Sequence, residues 1–471
     1  MLFMPYTLRM DLGGRAPASR GSALLSLLHL SDAHVIDTVS PARCEWVELL
    51  GKDPRWAPLL HMHRPYEALT HWTLAAHVER ARNRGCAPVS QRPFDLAVST
   101  GDNVDNAQQN ELQTYLTIMA AGHTCMSAAG GVHQASEELG PGPWPYWCPD
   151  ASVADRWKPL GYPVVDGFIE RVSGPLHSQG FGFPWASLPG NHDLLRQGTA
   201  LLNPAIEAIA IGSNKTLQRP PGFAPEDALT RFVTDPAAFS SGATRQIDAA
   251  PGRAGVDKRH WIASHVAHGA AGLTSEHVQQ ANADTVIDTE HARIILLDTN
   301  HPGGDFQGSV GMSQLRWLEE RLAEVDRQRG RFTVICSHHG AASLTNTLGD
   351  DPDRRQAQDL VAVLHRHPSV VAWLVGHRHM HHVAPHPGPS GGFWEISTAS
   401  LIDWPCQTRA VEFLMHPNGL LEIVCTLLDH QAPPTSLAAL HLDLAQRFAG
   451  AGAIRMQGQA ADGDVRLLRP C

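Results

Sequence analysis

The sequence predicts an α/β fold with its functional groups at the carboxyl ends of buried strands. Three observations carry this. Apolar runs at residues 23–30 and 94–99 read as strands, each ending in an acidic turn: Ser31-Asp32-Ala33-His34 and Gly101-Asp102-Asn103. A third run, Trp185 to Leu188, breaks at Pro189-Gly190 into Asn191-His192-Asp193. Farther along, strand-like runs flank an amphipathic helical pattern (Leu315, Leu318, Leu322, Val325), as in a sheet covered by helices.

Composition bounds the function. A chain of 471 residues can bury a large core, as one big domain with insertions or as two to three smaller ones. A net charge of -10 argues against a general binder of nucleic acid or anionic membranes, so no stable nucleic-acid partner is expected. The 28 histidines exceed what packing needs, and histidine is the commonest metal ligand. Eight cysteines lie scattered without CxxC pairing and read as small buried hydrophobes of a reducing compartment. A Cys125–Cys148 disulfide is the lesser alternative. Near the start, Arg9, Arg15 and Arg20 precede an apolar run at 23–28 that is too short to span a membrane and lacks a small-residue cleavage site. No membrane span and a cytoplasmic location are expected, and oligomeric state stays open.

In chain order, 23–30 is the first core strand, and 62–84 carries helical periodicity through Tyr66, Leu69, Trp72, Leu74, Ala76 and Val78. Strand 94–99 leads through Gly101 to Asp102, with a helix at 107–121. Residues 122–184 are Gly-, Pro- and Trp-rich (Gly130-Gly131, Pro141 to Pro145, Trp144, Trp147, Trp157) and read as an insertion covering part of the site, its aromatics mostly packing. A second irregular interval spans 200–290, broken at Pro220-Pro221-Gly222. The core resumes with strand 292–298, helix 313–329, strand 332–336 ending in Ser337-His338-His339, helix 355–366, and strand 370–375 ending in Gly376-His377-Arg378-His379. Strands near 393–398, 409–415 and 420–427 finish a sheet. The segment 431–471, helical at 436–448, reads as a peripheral tail after a domain of residues 1–430.

Several side chains carry chemistry. Asn191 offers a neutral oxygen ligand, and Asp193 is positioned to hold the ring of His192, leaving that imidazole to handle a proton. In extended backbone, Asp32 and His34 at i, i+2 point the same way and can share a metal; in isolation a strand-end turn with a helix cap is the favoured reading. His377 and His379 repeat the spacing with Arg378 facing away, while His381 and His382 read as solvated or as outer neighbours of the site. Arg378, Asn103 and Asn106 are phosphate contacts or, with equal weight, surface and turn residues.

Taken together, Asp-x-His, Gly-Asp, Gly-Asn-His-Asp, His and Gly-His-x-His resemble the calcineurin-like metallophosphoesterase superfamily over roughly residues 23–380. The stretch from His29 to Arg43 (HLSDAHVIDTVSPAR) and Gly101 to Asn106 (GDNVDN) further resemble a poorly characterised bacterial subgroup. The resemblance implies a four-layer α/β/β/α sandwich of two mixed sheets with insertions, and a dinuclear metal centre. One metal would take Asp32, His34, Asp102 and His379; the other Asp102, Asn191, His338 and His377, with Asp102 bridging and His338 chosen over His339. His192 would act on the substrate as general acid, with a metal-bound hydroxide as nucleophile. Two divalent or mixed-valence ions keep the site positive despite the acidic chain, and mixed N/O ligands suit Mn, Fe, Zn or Ni. The expected function is therefore metal-dependent hydrolysis of a phosphate-ester small molecule or nucleotide, foremost as a phosphodiesterase. Phosphomonoesterase and nucleotide pyrophosphatase activities suit the same centre, and a non-catalytic binding protein of this fold is the remaining alternative.

Overall fold

The computed structural model describes residues 6–17, 19–126, 146–224, 226, 228–328, 330–450 and 458–470. Its main strands are β1 (Thr7–Arg9), β2 (Ser22–Leu30), β3 (Leu96–Ser99), β4 (Trp185–Ser187), β5 (Thr285–Asp288), β6 (Ala292–Leu297), β7 (Phe332–Ser337), β8 (Val370–Val375), β9 (His382–His386), β10 (Phe393–Ser397), β11 (Thr408–Met415), β12 (Leu420–Leu428) and β13 (Val465–Pro470). Its main helices are α1 (Thr70–Arg84), α2 (Gln109–Ala120), α3 (Lys258–Ala267), α4 (Met312–Asp326), α5 (Ala357–His365) and α6 (Leu437–Gly450).

The strands form two large mixed sheets. One runs β1-β13-β12-β11-β2-β3-β4, with β2, β3 and β4 parallel; the other runs β9-β10-β8-β7-β6-β5, with β6, β7, β8 and β10 parallel. Alternation within each strand sends side chains to opposite faces. Leu25 and Leu27 of β2 and Leu96 and Val98 of β3 meet Ile294, Leu296, Val334 and Cys336 of the second sheet in one apolar layer. Leu28, Leu30 and Ala97 face the other way, onto Leu74 and Val78 of α1 and Leu112, Tyr115 and Leu116 of α2. Ile295 and Ile335 likewise pack on Leu318 and Leu322 of α4 and Leu360 and Val363 of α5. Burying each such Leu or Ile stabilises the chain by about 1.5–3 kcal/mol, which makes the strands stiff mounts for the loops at their ends.

Register then decides where the site lies. Leu30 pairs with Ser99, and Ser99 with Ser187, so three parallel strands end level. Across the sandwich, Leu297 pairs with Ser337, and Cys336 with Leu374. The loops bearing Asp32, Asp102, Asn191, His338 and His377 all leave from those ends.

Three expectations need correction. The helix expected over 62–84 begins only at Thr70, because Pro65 has no N–H to donate; residues 54–62 and 67–69 form 3-10 turns instead. The segment 431–471 is not peripheral. Its strand β13 sits between β1 and β12, with Val465, Leu467 and Leu468 buried, and α6 packs Leu444 and Phe448 against Tyr66 and Trp157. The irregular interval 200–290 also stops short of its expected end, because β5 is a core strand paired with β6.

Within 122–184, Gly130-Gly131 and Pro141 to Pro145, with Trp144, lie outside the described residues. Trp147, Trp157, Tyr162 and Phe168 form one apolar cluster, and Gly122–Thr124 pairs with Leu176–Ser178. No helix among the described residues is long and apolar enough to cross a membrane.

Candidate metal centre

The loop after β2 is not extended. Asp32 and His34 have φ of 53° and 43°, Asp102 has 51°, and His377 and His379 have 67° and 54°. Left-handed backbone at non-glycine residues costs of order 1–3 kcal/mol each and persists only where surroundings enforce it. Here the loops enforce it on one another. Asp32 N–H donates to Gly101 O (2.9 Å), His34 N–H to Asp102 O (3.0 Å) and Val35 N–H to Asn103 O (3.0 Å). The i, i+2 pairs therefore reach the centre by tight turns and not by strand alternation.

Two glycines let the loops close. At φ 98°, Gly101 occupies a region that suits glycine, and a Cβ there would strike Gly190 and the ring of His338. A Cβ on Gly190 would meet the Asp102 backbone nitrogen and Oδ1. The Asp102 and Asn191 turns are thus pressed together.

Their donor atoms converge in two overlapping sets. Ligand atoms of Asp32, His34, Asp102 and His379 all lie within 4.8 Å of one another. His379 Nε2 is 3.3 Å from Asp32 Oδ1, and His34 Nε2 is 3.3 Å from His379 Nε2. In the second set, His338 Nε2 is 3.0 Å from Asn191 Oδ1 and 3.2 Å from His377 Nδ1. Asp102 Oδ2 belongs to both, 3.7 Å from His34 Nε2 and 3.1 Å from His338 Nε2.

The outer ring nitrogens are already committed. His34 Nδ1 faces Asp105 Oδ1 at 3.1 Å, His379 Nδ1 faces Asp403 Oδ2 at 2.7 Å, and His338 Nδ1 faces the Thr100 carbonyl at 2.7 Å. Each partner only accepts, so each Nδ1 carries a hydrogen and each Nε2 is the nitrogen that faces inward. The Nε2 atoms of His34 and His379 face each other there, and a bound cation would take the place of the proton that the neighbouring carboxylates hold on His379. The donor set fits metal ions of the Mn, Fe, Zn or Ni kind, with N and O ligands and no thiolate.

His339 lies within 4.8 Å of His338 and His377 but is spent elsewhere. Its Nδ1 meets Thr299 Oγ1 at 2.8 Å and its Nε2 meets the Phe306 carbonyl at 3.1 Å.

The local field follows the same division. Burial alone would depress His338 and His379, yet Asp102 beside the first and Asp32 and Asp403 beside the second hold each up at about 9. Burial would raise Asp102, but His338 and His192 keep it well below the usual carboxylate range. Burial, with His339 and His338 close by, pushes His377 well down.

Comparison with known proteins comes down to short or distant matches. No family model matches the chain. A Synechococcus sp. (strain WH7803) protein named "Probable cyclic nucleotide phosphodiesterase" is 31% identical over 87 residues, covering 18% of this chain and 32% of the relative. The chain thus matches about a third of the length of that curated relative. A dimetal phosphatase from Danio rerio is 12% identical, with 87% of this chain and 97% of that chain covered at a TM-score of 0.40. The motifs that suggested the family meet at one point between two mixed sheets.

Within this centre, Asp193 does not hold His192. Its Oδ2 accepts from Gly190 N–H (2.8 Å), Asn103 N–H (3.2 Å) and Asn103 Nδ2 (3.1 Å), tying two loops together. Burial and the charge of Asp102 raise its carboxyl to about 7. The ring of His192 is held by Asp105, whose backbone carbonyl lies 2.8 Å from Nδ1 and whose Oδ1 lies 3.3 Å away. Burial would lower His192, but Asp102 and Asp105 raise it. Its ring packs edge-on to that of His34, centroids 4.6 Å apart.

Asp105 therefore serves His34 and His192 at once, a role that the sequence reading missed. The signal was its place three residues after Asp102. Asp403, behind His379, has no comparable signal.

Asn103 and Asn106 have structural partners. Asn103 is buried, donating to Leu188 O and Asp193; Asn106 is buried beside Glu111. Arg378 is exposed. His381 is buried against Gln407 and Arg409, while His382 meets Asp462. Cys125 and Cys148 are both free thiols, so the pairing considered for them does not form.

Proposed function

We propose that the chain is a dinuclear metal-dependent hydrolase of phosphate esters, acting foremost on phosphodiesters. Asp32, His34, Asp102 and His379 would hold one ion, and Asp102, Asn191, His338 and His377 the other. The observation that carries this reading is the placement of Asp102 Oδ2 between His34 Nε2 and His338 Nε2. Divalent ions held there supply Lewis acidity and a water of lowered pKa at neutral pH.

The chain's own groups do the rest. Of the side chains proposed as ligands, only Asp32 and Asp102 are anionic, so the loaded centre attracts a phosphate despite the net charge of -10. Asp102 Oδ1 accepts from the His192 backbone N–H at 2.8 Å, fixing that residue against the centre. Asp105 aligns the His192 ring through Nδ1, so Nε2 is the atom that donates a proton to a departing alkoxide. The preference for diesters draws on the name of the Synechococcus relative, and a nucleotide is the small-molecule substrate class it suggests.

A screen of the metal-loaded protein against diesters, monoesters and nucleotide pyrophosphates tests the reading. Turnover of bis(p-nitrophenyl) phosphate well above p-nitrophenyl phosphate is expected. The opposite ranking would make the chain a monoesterase, and a metal-free protein without turnover would make it a binding module.

His192→Ala separates catalysis from metal binding. General-acid help is worth typically 10²–10⁴-fold where the leaving group is poor. The variant should keep its metal and lose about that factor in kcat/KM on an alkyl ester, but much less on an aryl ester, whose leaving group departs without a proton. Equal losses on both would assign His192 to phosphate positioning, and loss of metal would make it a ligand.

A further inference from the structure

Behind the two imidazoles of one donor set the side chains close into a ring. From His34, Nδ1 meets Asp105 Oδ1; Asp105 Oδ2 is paired with Arg43 Nη1; Arg43 Nη2 donates to Glu67 Oε1 at 2.7 Å. Glu67 Oε2 accepts the backbone N–H of Arg64 at 2.8 Å. Arg64 then forks onto Asp403 through Nε (2.7 Å) and Nη2 (2.9 Å), and Asp403 Oδ2 returns to His379 Nδ1 at 2.7 Å. The circuit closes where His34 Nε2 faces His379 Nε2 at 3.3 Å. Every member is buried, none more than 6% exposed.

Such a ring is a poor device for stability. Desolvating two guanidinium groups and three carboxylates costs about as much as their attraction returns. What it does supply is direction. A two-toothed arginine contact fixes the plane of a carboxylate. That plane fixes the imidazole it accepts from, and outer partners of this kind typically set metal affinity by 10–100-fold. The second donor set lacks the arrangement, since His338 Nδ1 is held by the neutral Thr100 carbonyl.

We infer that Glu67, with Arg43 and Arg64, is a positioning residue that holds His34 and His379 at a common angle for one metal ion. None of the three touches substrate. The inference rests on the metal-centre reading above and concerns residues 43–67, which contribute no ligand.

The test uses the full chain, stripped with chelator and titrated with Co²⁺. Uptake is read from the visible d–d band and from competition with a chelator of known affinity. In Glu67→Gln the binding step that His34→Ala abolishes should weaken by about 10–100-fold, with an altered band. The other step should stay as in wild type, although the metal-free protein should melt lower, because removing one partner of a buried ion pair is itself destabilising. Arg64→Lys keeps the charge but not the fork and should show the same selective loss, so it decides the matter if Glu67→Gln does not fold. Wild-type affinity and spectrum in either folded variant would overturn the inference. Equal weakening of both steps would also overturn it, making Glu67 a fold residue. A wild-type protein that takes up no Co²⁺ would remove the metal-centre reading and this inference with it.

Discussion

Asp102→Ala should lose bound metal and hydrolysis together. Asp102 Oδ2 is the oxygen that approaches imidazoles of both donor sets, and Oδ1 accepts the backbone N–H of His192. Its removal leaves His34 and His338 without the negative charge between them. Lewis-acid stabilisation is worth several kcal/mol, and each 1.36 kcal/mol is tenfold in rate, so a fall of at least about 10³-fold in turnover is expected. Metal analysis and kinetics on the same preparation check it. A variant with full metal content and wild-type turnover would refute the bridging role.

Gly190→Ala should do nearly as much damage without touching a ligand. The backbone at Gly190, φ -92° and ψ -178°, suits any residue, so strain is not the reason. The added methyl would collide with the Asp102 amide nitrogen and Oδ1, atoms fixed by the end of β3. Forcing a carbon into a packed site costs typically 1–3 kcal/mol, and here the displaced atoms belong to the centre. A melting temperature lowered by several degrees, together with metal loss, is expected. A stable variant with intact metal content would mean that the two turns have more room than they show.

Much of this centre was legible in the sequence because the residues proposed as ligands stand directly after buried strands. A run such as Phe332 to Cys336 announces itself by apolar content, and the polar residue after it can hardly be packing. Strand alternation nevertheless does not bring Asp32 and His34 to the centre, since their backbone turns at positive φ and is held by hydrogen bonds between loops. Asp105 was half visible. Asp403 was not, because what marks it is a partner in the loop after β8 and an arginine more than 300 residues earlier. Asp193 was misread for the opposite reason: adjacency in the chain suggested a contact with His192 that the turn directs away. The strand β13 was hidden behind a polar, Gly- and Ala-rich spacer.

The split of donors between the sheets has a consequence for biosynthesis. Asp32, His34, Asp102 and Asn191 leave the ends of β2, β3 and β4, whereas His338, His377 and His379 follow β7 and β8. A ribosome that has finished the first three hundred residues has exposed one half of the coordination cage and none of the other. Neither donor set can be completed before residues 377–379 emerge, and the first sheet still lacks β13 at that point. If the centre binds metal as proposed, capture would be a late event in the life of each chain, and the young polypeptide would carry one half of the donor set unmatched until its second half arrives.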